Sequence, residues 1–283
     1  MRTLIYTAET DGSVEENLRN EKYSSALITN LRKEKGLIAA ADTDRPLKTS
    51  DMLKKGDKYR INLIDRPKCV PKYDIELKFV YEDEDIAVID KQSNLAVISS
   101  NLHYAKSLEN ALANVWGDFV YRPVNRLDKD TSGLIIIAKN QLAHSLLQKQ
   151  KIKKKYTALV EGSLTGEGVI NAPIYKPEIG SMKRIVDSRG KEAVTKYKSL
   201  AVYDSFSKIE FELLTGRTHQ IRVHSAYISH PLCCDFLYNP KCAPILAPSE
   251  ILLTRQALHS SYLEFLQPVS REFLIFTSKA DFE

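Results

Sequence analysis

The spacing of apolar residues changes character near residue 70. Between Val14 and Arg32 apolar positions recur at Leu18, Tyr23, Ala26, Leu27 and Leu31 among scattered lysines and arginines. That spacing predicts short amphipathic helices. Gly56-Asp57 then marks a tight turn into a strand over 58–64. Beyond Leu77 the pattern becomes one of short β-branched and aromatic runs. It predicts a hairpin of 79–81 and 86–89 around an acidic turn, and strands over 134–138, 156–160, 194–200, 207–213 and 272–276. Helices are expected over 108–116 and 141–150, the second with Leu142, Leu146 and Leu147 on one face, and a third starting near Thr218 under a hydroxyl cap. Strands outnumber helices and do not alternate with them regularly, which implies an α+β fold with a mixed, largely antiparallel sheet. Arg66-Pro67 and Val70-Pro71 bracket an extended segment, so a small unit over 1–67, a linker over 68–76 and a main domain over 77–283 are expected.

Charge and composition narrow the function. The 283 residues carry a formal charge of +5, which favours an anionic partner. No apolar run has membrane-spanning length and the first residues lack the core of a signal peptide. The four cysteines form no disulfide framework. A monomeric cytoplasmic protein with reduced thiols is expected. His230, Cys233, Cys234 and Cys242 raise the question of zinc, but their spacing does not make paired ligand knuckles. There is also no glycine-rich phosphate loop of the nucleotide-binding kind, and zinc is not expected.

Three stretches have candidate chemistry. In YRPVNRLDKDTSGLIIIAKN, residues 121–140, Asp128 follows Arg122 and Arg126 in a loop that leads into a buried strand. A carboxylate on a loop beside a rigid strand is well placed to meet a substrate. The run KQKIKKKY, residues 149–156, puts Lys151, Lys153, Lys154 and Lys155 ahead of Tyr156. It reads either as a solvated face or as a phosphate-contacting stripe, with Tyr156 as a plane for a base or as a core residue. In LLTGRTHQIRVH, residues 213–224, Arg217 and Arg222 are accompanied by His219 and His224. Arg222 could fold back onto Asp128 and hold it ionised; the histidines read as hydrogen-bonded scaffolding. Asp128 and Asp130 could also be a carboxylate pair of a glycoside hydrolase, although two positions on one loop oppose each other poorly.

Together these segments resemble the RluA-type pseudouridine synthases. The likeness is carried by Arg126-Leu127-Asp128-Lys129-Asp130-Thr131-Ser132-Gly133, by Lys155-Tyr156 and by Thr215-Gly216-Arg217-Thr218-His219-Gln220-Ile221-Arg222-Val223-His224. Tyr81-Glu82-Asp83-Glu84-Asp85, Gly190-Lys191-Glu192-Ala193-Val194-Thr195 and Arg255-Gln256-Ala257-Leu258-His259 extend it over roughly residues 77–282. The resemblance implies a catalytic Asp128, a stacking Tyr156, an Arg222 paired with the aspartate, and an Arg126 that fills the space of an extruded base. It implies a cofactor-free isomerisation of uridine in structured RNA, ribosomal RNA being favoured and transfer RNA possible. Arg217 and the lysine run would contact the RNA backbone. Residues 1–67 resemble the S-four-like RNA-binding module, with Ser25 where a basic residue is usual. The chain departs from the family pattern at Asn125 for His, at Lys91-Gln92 for Lys-Pro, at Ser229 and Cys234 for Gly, and at Gln267-Pro268 for His-Pro. These departures keep open a second reading, an RNA-binding or chaperone protein that has lost catalysis.

Overall fold

The structure is a computed structural model that describes residues 2–67, 69–99, 105–178 and 181–283. Its largest feature is a nine-stranded mixed sheet. From one edge the order is Glu167–Asn171, Val194–Val202, Phe206–Leu213, Lys153–Glu161, Leu258–Leu266, Ser132–Ala138, Ile86–Lys91 and Lys78–Glu82, with Phe273–Thr277 on the far half of Leu258–Leu266. The pairs are antiparallel except Leu258–Leu266 against Ser132–Ala138, where His259 lies opposite Ser132 and Ser260 opposite Gly133. This agrees with the α+β expectation.

Ser132–Ala138 is buried along its whole length. Ile135 and Ile137 enter the larger core with Tyr156, Ala158, Ile209 and Phe211, while Leu134, Ile136 and Ala138 face the opposite core with Ile86, Val88 and Leu263. A continuous β-branched run is what a strand covered on both faces needs. Gly133 has φ of 105° and its Cα lies against the Ser260 backbone: a Cβ there would stand 2.4 Å from the Ser260 carbonyl oxygen. The Thr-Ser-Gly sequence is therefore where the loop bearing Asp128 enters the sheet beside the Leu258 strand.

The predicted strands and helices of this region form with small shifts at their ends; Leu108–Trp116 and Gln141–Lys149 start under Ser107 and Asn140 caps. The long strand Leu258–Leu266 was not predicted, because Ser260-Ser261 interrupts its apolar pattern. The helix expected from Thr218 begins later, as Gln220–Tyr227, and its N-cap is His219 in the left-handed region with no side-chain cap.

The first part of the chain has its own three-stranded sheet, Arg2–Thr7, Lys58–Leu63 and Ile38–Ala40, covered by helices Val14–Asn20 and Ser25–Lys33. Gly56, with φ of 97°, makes the turn expected before Lys58. The described residues between Leu63 and Lys78 form no helix or strand; Lys68, the first of the expected linker, lies outside the described residues. The two parts are in contact. Leu142 of the sheet domain packs into the N-terminal core with Leu27, Ile28 and Leu31. Asp85 holds Arg2 at 3.0 Å, and Asp65 holds Arg122 through two hydrogen bonds.

Candidate active site

The loop from Val124 to Thr131 is anchored along its length. Val124 donates its N–H to the Ile136 carbonyl at 2.8 Å, and the Asn125 side-chain oxygen accepts the Ile136 N–H at 2.9 Å. Leu127 is buried in the larger core. The Lys129 carbonyl accepts from the Lys91 ammonium at 3.0 Å and from the Leu95 N–H at 3.2 Å. Lys91 is itself buried and also donates to the carbonyls of Gln92 and Leu95 at 2.9 Å. Burial brings its pKa down to about 7. A lysine in a strand ordinarily reads as exposed, so this buried clamp was not legible in the sequence.

Asp128 thus stands on a constrained loop with its side chain partly exposed. Its Oδ2 accepts a hydrogen bond from Arg222 Nη1 at 2.9 Å. Arg222 makes a two-pronged grip on Asp235, through Nε and Nη2, both at 2.7 Å. Burial alone would lower the Arg222 pKa, but Asp235 and Asp128 together raise it. The guanidinium also lies 5.1 Å from the centre of the Tyr238 ring. Asp235 was not singled out from the sequence; its fully buried carboxylate fixes the arginine that meets Asp128.

Arg222 is set in place by the turn ahead of its helix. Gln220 accepts from the Arg217 N–H at 2.9 Å and from the Thr215 hydroxyl at 3.0 Å, and donates to the Val194 carbonyl at 3.0 Å. The two histidines differ in role. His224 is buried between Thr195 and the Ala172 carbonyl, both at 2.9 Å, as scaffolding. His219 instead faces the site, with Nε2 3.7 Å from Asp128 Oδ2 and Nδ1 bonded to the Tyr238 hydroxyl at 2.9 Å.

A cleft of about 650 Å³ opens over Asp128. Arg126, Lys154, Tyr156, Arg184, Arg217 and His219 contribute to its lining. Tyr156 is 5% exposed and packs in the larger core, and burial raises its phenol pKa. Arg126 is exposed and makes no ion pair among the described residues. Arg217 is exposed at the rim, its Nε donating to the Glu192 carbonyl at 2.8 Å.

The lysine run is divided by strand alternation. Lys154 shares the Tyr156 face and lines the cleft, where burial lowers its pKa. Lys153 and Lys155 point to the opposite face, pairing with Glu264 at 3.6 Å and Glu210 at 2.9 Å beside the Tyr262 ring. Lys151 is exposed and outside the cleft lining. Arg122, which precedes Asp128 in sequence, turns away to Asp65. The departures also find their places: Asn125 pins the loop, Cys234 takes the left-handed turn with φ of 58°, and Gln267 accepts the N–H groups of Val269 and Ser270. Among the described residues no three His, Cys, Asp or Glu side chains group to hold a metal ion, and no helix is long and apolar enough to cross a membrane.

Comparison with known proteins is consistent across sequence and structure. Residues 85–227 match the family model of RNA pseudouridylate synthases. A Bacillus subtilis protein named uncharacterized RNA pseudouridine synthase YhcT is 35% identical over 92% of this chain and 91% of its own length. The ribosomal large subunit pseudouridine synthase D of Zymomonas mobilis is 34% identical over 89% of this chain and 87% of its own length. Among solved structures, human RNA pseudouridylate synthase domain containing 1 superposes with a TM-score of 0.57 at 25% identity, covering 74% of this chain and 85% of that one.

The geometry of the arginine generates a stability prediction. Asp235→Asn removes one charge from a buried pair and is expected to lower the unfolding free energy by about 3 kcal/mol. Asp128→Asn, at a partly exposed carboxylate with a single bond to Arg222, is expected to cost less than half as much. Urea denaturation of both variants checks the order, and equal losses contradict it.

Proposed function

The chain belongs to the RNA pseudouridylate synthase family, and from that premise we propose that it isomerises uridines of ribosomal RNA with Asp128 as its catalytic carboxylate. The enzyme is an isomerase: the bond from N1 of uracil to the ribose breaks, the base turns, and C5 is joined to the same ribose carbon. No group is gained and no electrons are lost, so the chemistry asks for a carboxylate, a held base and a shielded site. The observation that carries the reading is the Arg222–Asp128 bond at 2.9 Å in the floor of a cleft that Tyr156 also lines. Arg222 aims the carboxylate, and Tyr156 offers a ring face to the uracil. Extruding the target nucleotide from its stack costs about a few kcal/mol, and Arg126 is positioned to occupy the vacated space.

RNA enters this reading through charge. Lys154, Arg126 and Arg217 contact the backbone around the target, whereas Lys153 and Lys155, paired on the far face, stay outside the complex. Residues 1–67 act as an RNA-binding module, joined by 68–76 to the catalytic domain of 77–283, in a cytoplasmic enzyme. The preference for ribosomal over transfer RNA rests on the name of the Zymomonas mobilis relative and on this module. The glycoside hydrolase reading loses its second carboxylate, because Asp130 is not among the residues lining the cleft.

A map of pseudouridine in ribosomal and transfer RNA from cells lacking the protein tests the assignment. At least one ribosomal site is expected to vanish and to return with the wild-type gene; loss confined to transfer RNA would overturn the choice of substrate. For the purified protein, Lys154→Ala is expected to reduce the slope of log affinity against log salt by about one, with Lys155→Ala leaving it unchanged. Binding titrations across salt concentrations read both, and equal effects contradict the division of the lysine run.

A further inference from the structure

The net reaction moves a proton. In uridine C5 bears a hydrogen and N1 none; in pseudouridine N1 bears it and C5 none. Once C5 has bonded to the ribose, its C–H bond must break. The freed electron pair forms the C5–C6 double bond, the C6–N1 π pair moves onto N1, and N1 takes a proton from solvent. Some group in the cleft has to accept the proton from C5.

Most of the titratable groups lining the cleft are unsuited to accept it. Arg126, Arg184 and Arg217 are guanidinium cations, Lys129 is exposed to water and Lys154 is assigned to the RNA backbone. Tyr156 is a phenol whose pKa burial raises, so it holds its own proton. Asp128 has its Oδ2 engaged by Arg222. His219 remains. Burial, with the nearby charges of Arg222 and Arg184, lowers its pKa against the opposing carboxylates of Asp128 and Asp235.

The geometry around His219 is specific. It has φ of 57°, a left-handed conformation that side-chain-bearing residues adopt rarely. As N-cap of Gln220–Tyr227 it makes no capping bond, so helix capping does not account for the strain. Nδ1 meets the Tyr238 hydroxyl at 2.9 Å, whose oxygen also accepts the Arg184 N–H at 2.9 Å. The Tyr238 ring stands edge-on to the imidazole at 5.7 Å. Nε2 faces the cleft, 3.7 Å from Asp128 Oδ2, and carries the lone pair in the tautomer that donates Nδ1–H to Tyr238. That separation is too long for a direct hydrogen bond, yet it leaves a position within about 3 Å of both groups where a reacting atom fits.

We propose that His219 is a second catalytic residue, the base that removes the C5 proton after the carbon–carbon bond has formed. The inference rests on the pseudouridine synthase reading and adds a proton acceptor to it. The imidazolium formed lies beside the released Asp128 carboxylate, which stabilises it until the proton passes to solvent. Tyr238 is a positioning residue that fixes the imidazole tautomer.

The test uses large-subunit ribosomal RNA transcribed from the host gene with protium, deuterium or fluorine at C5 of its uridines. Fluorine leaves no C5 proton to remove, so rearrangement of that RNA stops at the carbon–carbon-bonded nucleoside and needs no base. His219→Asn suits the left-handed backbone. In single-turnover assays it is expected to slow pseudouridine formation by about 100-fold and to bring out a C5-deuterium isotope effect absent from the wild type. Its rearrangement of the fluorinated RNA is expected at the wild-type rate, which also demonstrates a folded site. Tyr238→Phe is expected to show the same signature in weaker form. If His219→Asn slows both reactions alike, its role is structural and the proposal fails; if it slows neither, the proposal fails as well. A wild-type chain inert on the protium RNA overturns the parent reading on this substrate, and this inference with it.

Discussion

A buried guanidinium has to be satisfied on every side, and much of this site follows from how Arg222 meets that demand. Leaving such a cation without a partner costs about 3–5 kcal/mol, so its neighbours are held as firmly as it is. Asp235 takes two of its donors and Asp128 the third. The helix Gln220–Tyr227, the turn that ends at Asp235 and the loop of Asp128, 94 residues before Arg222, are thereby tied at one point. A carboxylate on a surface loop would otherwise sample many orientations. Here it is held to one, with part of its surface left open to the cleft.

The sheet supplies the other half of that constraint. Ser132–Ala138 is covered on both faces and receives the Asp128 loop at Gly133, where the backbone of Ser260 leaves no room for a side chain. Behind the loop, the Lys91 ammonium gathers the carbonyls of Gln92, Leu95 and Lys129. Arg122 and Arg2 extend the framework to the N-terminal part through Asp65 and Asp85, and Leu142 adds apolar contact. The N-terminal sheet consequently sits against the same helix, Gln141–Lys149, whose Gln148 lines the cleft.

Much of the fold was legible because its strands are β-branched runs bounded by turn residues, and because Asp128, Tyr156 and Arg222 lie in motifs read in order. What escaped the sequence depends on tertiary contact. Lys91 reads as a strand end, Tyr238 belongs to no periodic pattern, and His219 was taken with His224 as scaffolding; only the fold turns one imidazole to the cleft and the other to Thr195. The lysine run looked like one stripe, yet strand alternation divides it between two faces. Leu258–Leu266 was missed because Ser260-Ser261, where the chain runs against Gly133 and Tyr156, resembles a break in the pattern.

The central claim is that one carboxylate, held by one arginine, performs the isomerisation. Its most direct test is pseudouridine formation by the purified wild-type chain and by Asp128→Asn on the same ribosomal RNA, with RNA binding measured in parallel. Asparagine keeps the shape and can still accept from Arg222, but it can neither attack carbon nor take up a proton as a carboxylate does. The account predicts undiminished binding and no pseudouridine from the variant. Pseudouridine formed by Asp128→Asn at a rate near that of the wild type would contradict it.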